Sequence, residues 1–563
     1  MKPLAAVRAR TTHALQDQVD ERSIETADEA AARERTRFLF GAVLVLLVGL
    51  SVRYVAISSS SFPINDGGMF YQAISQIKAA QFHLPSVLHY NGLALPFAYS
   101  PLGFYVAGLV SWATGASIFQ LLRILPVVFS MATIVAFMLF ANEYLQDRTT
   151  VLVASLAFAL VPRSYNWEIM GGGLTRGLAY CFAILTLWQV YRLYTRRTRW
   201  AIALAALFGA LTCLSHIEFA WFVAFSAALF FLVYGRSKAA FVDSLLVGAG
   251  VLLLSSPWWL TVVSRDGLTP FQNAGQSGAG AISNILGLLL VLNVGDEPSF
   301  PLFGALAILG IIVCLRRGRT FLPLWVLTIV VLDTRKSQTD AMLPLSMMVG
   351  IAIAQFLIPF MSEAGSRWFN GDDSPGRASA RAIRWLSPAT IALLLGYGWI
   401  SSIGANSGSY RPLSLPERDA MAWVQANTPA EASFAVITGD IWALDRSSEW
   451  FPVLADRVSV ATVQGYEWVP NNGFTTQEDS YTALQKCSTD TPGCIQTWEE
   501  TYGTSFDYLY VGRRDRQNGF VDYHAPCCTS LVALLKLDPD YKLVYENEDA
   551  TVFQHITSEA RIP

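Results

Sequence analysis

Between residues 38 and 403 the chain returns repeatedly to apolar runs of bilayer-crossing length, and no other feature restricts its fold as much. The first is "FLFGAVLVLLVGLSVRYVAI" at 38–57, and others follow near 119–143, 150–165, 177–191, 200–216, 218–234 and 241–260. Further runs lie near 301–315, 320–333, 341–360 and 385–403. A hydrocarbon core of about 30 Å needs about 20 apolar residues per helix, so the pattern predicts roughly eleven transmembrane helices. Composition agrees: 53% of the 563 residues are hydrophobic, only 15% are charged, and 16 are Trp. The mean hydropathy is +0.38. These values exclude an ordinary soluble enzyme.

Charge sets the direction of threading. Residues 1–37 mix Arg with Asp and Glu and hold no apolar core, so they read as a polar cytoplasmic tail and not as a cleavable signal. Arg148, the "RLYTRRTR" cluster (Arg192, Arg196, Arg197, Arg199), Arg236, Lys238 and "RRGR" (Arg316, Arg317, Arg319) then fall in short inside loops. Arg367, Arg377, Arg381 and Arg384 follow the same side, as basic-inside topology requires. Counting "SPLGFYVAGLVSWATGA" (100–116) as a span would put every later Arg cluster outside, so it reads as a helix lying in the outer interface. It belongs to a long external loop over 58–118, within a membrane domain over 38–403.

The odd number of spans places 404–563 outside. From Gly404 onward there are 22 acidic against 11 basic residues, and before it 21 against 29. The balance argues against a nucleic-acid partner. Here "FAVITGD", "FDYLYVG" and "YKLVYENEDATVFQHI" alternate as strands, and "PERDAMAWVQANT" reads as an amphipathic helix. The expectation is a polytopic α-helical membrane protein, multi-pass in the cell membrane with its N-terminus cytoplasmic, carrying a C-terminal extracytoplasmic α/β domain. Cys487, Cys494, Cys527 and Cys528 cluster in that part, which suggests two disulfides of undetermined connectivity in an oxidising compartment.

On this threading the outer face collects ionisable groups. "FPINDGGMFYQ" contributes Asp66, and "PRSYNWEIMGGGLTR" contributes Arg163, Glu168 and Arg176. "LSHIEF" adds His216 and Glu218, and "LDTRKSQTD" adds Asp333, Arg335, Lys336 and Asp340. Such groups at membrane depth cost roughly 2.5–3.5 kcal/mol each, so their retention points to a task. Plainer roles exist for several: Asp66 as a turn former beside Gly-Gly, and Arg163 and Arg335 as interfacial snorkels. His216 and Glu218, two apart, face different sides of a helix and make a metal clip only if the helix ends there. No phosphate-cradling loop, HExxH, paired CxxC or nucleophile elbow is present.

The run of "NDGGMFY", the Pro-flanked "YSPLGFYVAGL", and "LLRILPVVFSMATIVAFMLFANEYLQDRTTVLVASLAFALVPRSYNWEIMGGG" resembles the C-type membrane glycosyltransferases (GT-C). Within them, 119–176 is most similar to the prokaryotic single-subunit oligosaccharyltransferases. The resemblance implies a GT-C-like transmembrane domain and transfer of a sugar or oligosaccharide from a polyprenyl-phosphate-linked donor to a glycan, lipid or protein acceptor outside the membrane. It casts Asp66 as base or metal ligand, with Glu168 as the second acidic residue. Arg335 and Lys336, with Arg163 and Arg176, hold the donor phosphate, while His216 and Glu218 line the site. Two departures stand out. The DxD-like pair of the second loop is reduced to Glu168. In place of a Trp-Trp-Asp motif the chain offers Glu449, Trp450 and Arg457 for acceptor binding. A lone carboxylate suits metal-independent chemistry, and Asp66 with Glu168 suits Mg²⁺ or Mn²⁺. The competing class is a transporter or a non-catalytic membrane scaffold, but no internal repeat supports a transporter.

The threading predicts that a membrane-impermeant thiol reagent applied to intact cells labels Ala430→Cys and spares Thr198→Cys. Labelling of position 198 from outside would reverse it.

Overall fold

The computed structural model describes residues 3–58, 60–276, 294–333, 335–361, 389–390, 392–405, 410–471, 473–513 and 527–556. Arg367, Arg377, Arg381 and Arg384, and residues 385–388 of the last apolar run, lie outside the described residues. Helix α1 (Pro3–Ser58) carries the polar N-terminal stretch straight into the first apolar run. Then come α2 (Gly68–Ala79), the hairpin β1–β2 (Val87–Tyr90, Leu93–Pro96), α3 (Leu102–Thr114), α4 (Ile118–Leu145) and α5 (Arg148–Leu160). Helices α6 (Gly173–Arg196), α7 (Arg199–Ser215), α8 (Ile217–Tyr234), α9 (Lys238–Asp266) and α10 (Thr269–Gln276) follow. The apolar part closes with α11 (Leu302–Arg316), α12 (Phe321–Leu332), α13 (Ser337–Ala352) and α14 (Ala392–Ala405).

Among the described residues, five helical stretches are long and apolar enough to cross a membrane: Ala31–Ser58, Ile118–Leu145, Ile217–Tyr234, Lys238–Asp266 and Ser337–Met361. Shorter apolar helices occupy most of the other runs. Helix α3 buries Phe104, Ala107 and Ser111 on one side and exposes Leu109 and Trp112 on the other, the two-faced character of a helix at an interface.

Local chemistry starts these helices where it should. Ser117 and Gln120 form a capping box at α4, and Asp147 caps α5 through the Thr150 N–H. Helix α2 differs. Its N-cap, Gly67, has φ 132° and no side chain, so the cap is supplied from elsewhere in the chain: Glu449 Oε1 accepts the Gly67 N–H at 2.9 Å.

After α14 the chain forms α15 (Leu415–Asn427), β3 (Ser433–Ile437), α16 (Arg446–Leu454), β4 (Val458–Ser459), α17 (Gly473–Lys486) and α18 (Pro492–Tyr502). It ends with β5 (Tyr508–Gly512), α19 (Thr529–Leu535), β6 (Tyr541–Glu546) and β7 (Ala550–His555). The sheet order is β4-β3-β5-β7-β6, with β3 parallel to β4 and β5, and β7 antiparallel to β5 and β6. Cys487 is bonded to Cys494 and Cys527 to Cys528.

Two hydrophobic cores matter for the site. One lies among α4, α5, α6, α8, α12 and α13, around Phe137, Phe158, Phe230 and Trp325. The other joins the first loop to the sheet: Phe62, Phe70, Tyr90, Phe97 and Phe104 share it with Trp450, Phe451, Phe434 and Trp468. The segment 62–104 and the C-terminal part therefore share one packed core, which Leu122, Leu174 and Trp258 of the apolar helices also join. Arg53, buried in α1, ties the helices to the next loop by donating to Ser130 Oγ and the carbonyls of Gly49 and Ala159, with Tyr165 stacked 4.3 Å away.

Backbones meet closely where α16 crosses the start of α2. A Cβ on Gly68 would lie 2.4 Å from the Glu449 carbonyl oxygen, which the backbone cannot yield cheaply, whereas one on Gly248 in α9 meets nothing within 4 Å. Gly68→Ala should cost roughly 1–3 kcal/mol by overpacking. Thermal unfolding in detergent should show a clear loss for it and none for Gly248→Ala.

Candidate active site

Asp66 sits where two loops cross. The Gly171 N–H donates to the Ile64 carbonyl at 3.0 Å, bringing the 161–172 segment against residues 64–67. A Cβ on Gly171 would fall 2.0 Å from the Asp66 carbonyl oxygen, so only glycine permits this approach. The carboxylate is then gripped on both oxygens: Oδ1 accepts the Gly172 N–H at 2.8 Å, and Oδ2 accepts from Arg176 Nη2 at 2.9 Å. Arg176, on the first turn of α6, is oriented by donating through Nε to the Trp167 carbonyl. Asp66 and Arg176 keep 19% and 17% of their side chains exposed, so the pair is held but reachable.

The groups predicted from "PRSYNWEIMGGGLTR" separate here. Glu168 is 2% exposed, and its Oε2 has no hydrogen-bond partner among the described residues. Burial pushes its carboxyl up to about 7, against the pull of Arg176 and Lys336. Arg163 instead pairs with Asp296 at 2.6 Å and touches the site only through its field on Glu168.

His216 lies at the break between α7 and α8, so the helix does end there, and its Nδ1 comes within 4.0 Å of Glu218 Oε2. Glu218 is held by Arg335, whose Nη1 donates to it at 2.7 Å and to the Ala274 carbonyl of α10 at 3.2 Å. Lys336 is placed differently from its neighbour. Its ammonium lies 3.1 Å from the Phe219 ring centroid and 3.8 Å from Asp340 Oδ2, with no hydrogen-bond acceptor among the described residues.

Of the three residues expected to read the acceptor, two lie at Asp66 and one does not. Glu449 takes the Gly67 N–H, and Trp450, fully buried, donates from Nε1 to the Asn65 carbonyl at 2.8 Å. Burial, with the Asp66 charge, pushes the Glu449 carboxyl upward, while the N–H groups of Gly67 and Met69 pull it back. Arg457 is committed elsewhere. It donates to Thr428 Oγ1 and to the carbonyls of Gln425, Thr428 and Asp456, closing the C-terminal end of α15. That corrects its placement in an acceptor site, because its fork is spent on helix carbonyls.

Sequence reasoning passed over Tyr99. Its hydroxyl meets Thr175 Oγ1 at 3.3 Å, and its ring packs edge-on to His216 and Trp468, bridging Asp66's neighbourhood to that of Glu218. Its one signal was its place in an aromatic-Ser-Pro turn.

Arg176 donates to Asp66 Oδ2, and its charge also pulls on the Glu168 carboxyl. Among the described residues no three His, Cys, Asp or Glu side chains converge as a metal set.

No protein-family model matches the chain, and no curated protein does. Solved structures do. The oligosaccharyltransferase AglB from Archaeoglobus fulgidus, in complex with an inhibitory peptide and a dolichol-phosphate, superposes with a TM-score of 0.55 at 13% identity, over 85% of this chain and 70% of its own. ArnT from Cupriavidus metallidurans, bound to undecaprenyl phosphate, gives 0.51 at 13% identity over 92% of this chain and 99% of its own. The arabinofuranosyltransferase AftD from Mycobacteria gives 0.54 at 14% identity over 92% and 40%. The chain shares the overall fold of these three proteins. Identities this low establish the fold and carry no residue roles with them.

The raised Glu168 carboxyl has a thermodynamic consequence. Between its ordinary value of 4.5 and about 7 the folded chain holds this proton more tightly than the unfolded chain, so its contribution to stability falls as pH rises through that window. Glu168→Gln should match the parent near pH 4.5 and exceed it by on the order of a few kcal/mol near pH 7.5. Thermal midpoints across that range measure it, and a gap that does not widen with pH would count against a buried ionising Glu168.

Proposed function

We propose that this chain is a membrane glycosyltransferase that moves a sugar or oligosaccharide from a polyprenyl-phosphate-linked donor to a glycan, lipid or protein acceptor on the outer face of the membrane. The observation that carries the reading is the Asp66 carboxylate, fixed by Arg176 and the Gly172 N–H yet still reachable, on a GT-C fold. The neighbours bound to dolichol-phosphate and undecaprenyl phosphate support a lipid-phosphate donor.

The chemistry follows from the groups in place. An acceptor hydroxyl or amide attacks the anomeric carbon of the donor sugar, the carbon–oxygen bond to the phosphate breaks, and the acceptor's proton passes to Asp66. Each Asp66 oxygen uses one lone pair on its protein donor and keeps another for the incoming proton. The two protein donors fix which way the carboxylate faces, which reduces the reorganisation needed at reaction.

The leaving phosphate needs a cation that is not already satisfied. Arg335 is engaged by Glu218 and the α10 carbonyl, so Lys336 is the phosphate anchor and Arg335 braces the wall behind it. Arg176 supplies positive charge beside the reacting carbon, and we read the reaction as independent of a divalent metal. Glu168 and His216 line the same mouth. Orientation, with the N-terminus inside and the sheet outside, is part of the proposal.

Activity can be read without knowing the sugar. Mass spectrometry of surface glycans from cells with and without the gene should reveal the transferred unit. Complementation with Asp66→Asn should reduce it on the order of 10²–10⁴-fold while the protein still inserts and folds. Near-parental glycans from Asp66→Asn would return the Asp-Gly-Gly stretch to an ordinary turn.

A further inference from the structure

Asp66 is held by two different parts of the chain in two different ways. Its side chain belongs to the 161–176 segment, through the Gly172 N–H and Arg176. Its backbone belongs to the C-terminal part. On one side the Asn65 carbonyl accepts from Trp450 Nε1 at 2.8 Å, and on the other the Gly67 N–H donates to Glu449 Oε1 at 2.9 Å. Helix α16 therefore grips the residues before and after Asp66, across more than 380 positions of sequence.

The grip is locked from behind. The Glu449 carbonyl accepts the Tyr90 hydroxyl at 2.7 Å, which fixes α16 to the β1–β2 hairpin. Trp450 packs against Phe62 and Phe119, with ring centroids 4.8 and 5.8 Å away. Both residues are buried, Glu449 to 5% exposure and Trp450 completely, so neither offers a surface to an acceptor. Glu449 also completes α2, whose N-cap glycine has no side chain of its own.

We infer that Glu449 and Trp450 are positioning residues that set where the Asp66 carboxylate stands, and that the C-terminal part thereby completes the reaction centre. The inference rests on the reading of Asp66 as the reacting carboxylate, but the contact itself is measured separately. Two N–H groups of the α2 start need an acceptor oxygen and not a charge, since Gln supplies the same oxygen at the same reach. Asp is one methylene short, and Ala supplies nothing.

The test uses the full-length protein in membranes and two readouts. Hydrogen–deuterium exchange of the 62–72 peptide reports the grip, and surface-glycan complementation reports its effect on transfer. Glu449→Gln should keep both close to the parent. Glu449→Ala should speed exchange of that peptide on the order of tenfold and cut transfer by a similar factor, with Glu449→Asp between them. Trp450→Phe, which keeps an aromatic ring in the same place but removes the N–H and part of the ring system, should loosen the same peptide with a smaller loss of packing than an alanine, and so covers the case of an unstable alanine variant. Rescue by Gln together with loosening by Ala supports the inference. Equal loss of transfer in Gln and Ala with the peptide still protected would overturn it, making the Glu449 charge itself the active feature. Full transfer by Glu449→Ala would overturn it as well. Should Asp66→Asn prove active, the catalytic reading falls, and the exchange data still decide whether α16 holds the loop.

Discussion

The structure turns on the Asp66 carboxylate and its two donors, the Gly172 N–H and the Arg176 guanidinium. A carboxylate this enclosed is tolerable only when its charge is met, and Arg176 meets it within the same mouth. A Cβ at Gly172 would meet the Asp66 carboxylate and Arg176 themselves, and for the donors to arrive the backbone at Gly171 must come closer to that of Asp66 than any side chain allows. Gly68 does the same for α16. Small residues in this region reflect contact, and the loose appearance of a Gly-rich sequence corresponds to a tight crossing.

Charge around the mouth is arranged in levels of commitment. Arg163 is bound by Asp296, and Arg335 by Glu218 and the α10 carbonyl. Lys336 alone among the cations proposed for phosphate rests on an aromatic face with its hydrogen-bonding capacity in hand among the described residues. An ammonium over a ring is stabilised by the quadrupole without its three donors being consumed. Residue type alone does not tell these cations apart: Lys336 also lies 3.8 Å from Asp340, while Arg335 is hydrogen-bonded to Glu218.

Much of this was legible in the sequence because it depends on local pattern. The apolar periodicity placed the helices, the amphipathic "PERDAMAWVQANT" gave α15, and alternation located β6 and β7. Asp66, Glu168, Arg176, His216, Glu218, Arg335 and Lys336, all picked out from sequence, lie within reach of one another's charge. What was not legible depends on contacts distant in sequence. Nothing near Glu449 announces that it caps a helix beginning at Gly68, and nothing near Arg457 announces that carbonyls of α15 will consume it. Tyr99 looked like one aromatic among many. The partners of these equal-looking neighbours, Glu218 for Arg335 and the Phe219 ring for Lys336, are settled only once α8 and α10 are folded against them.

The most direct measurement is binding of the lipid phosphate itself. Native mass spectrometry of the purified protein titrated with undecaprenyl phosphate should show one lipid per chain. Lys336→Ala should weaken that binding at least on the order of tenfold, the loss of a charge-assisted contact to phosphate, while Asp66→Asn leaves it largely intact. No binding by the parent, or binding unchanged by Lys336→Ala, would contradict a lipid-phosphate site at this mouth.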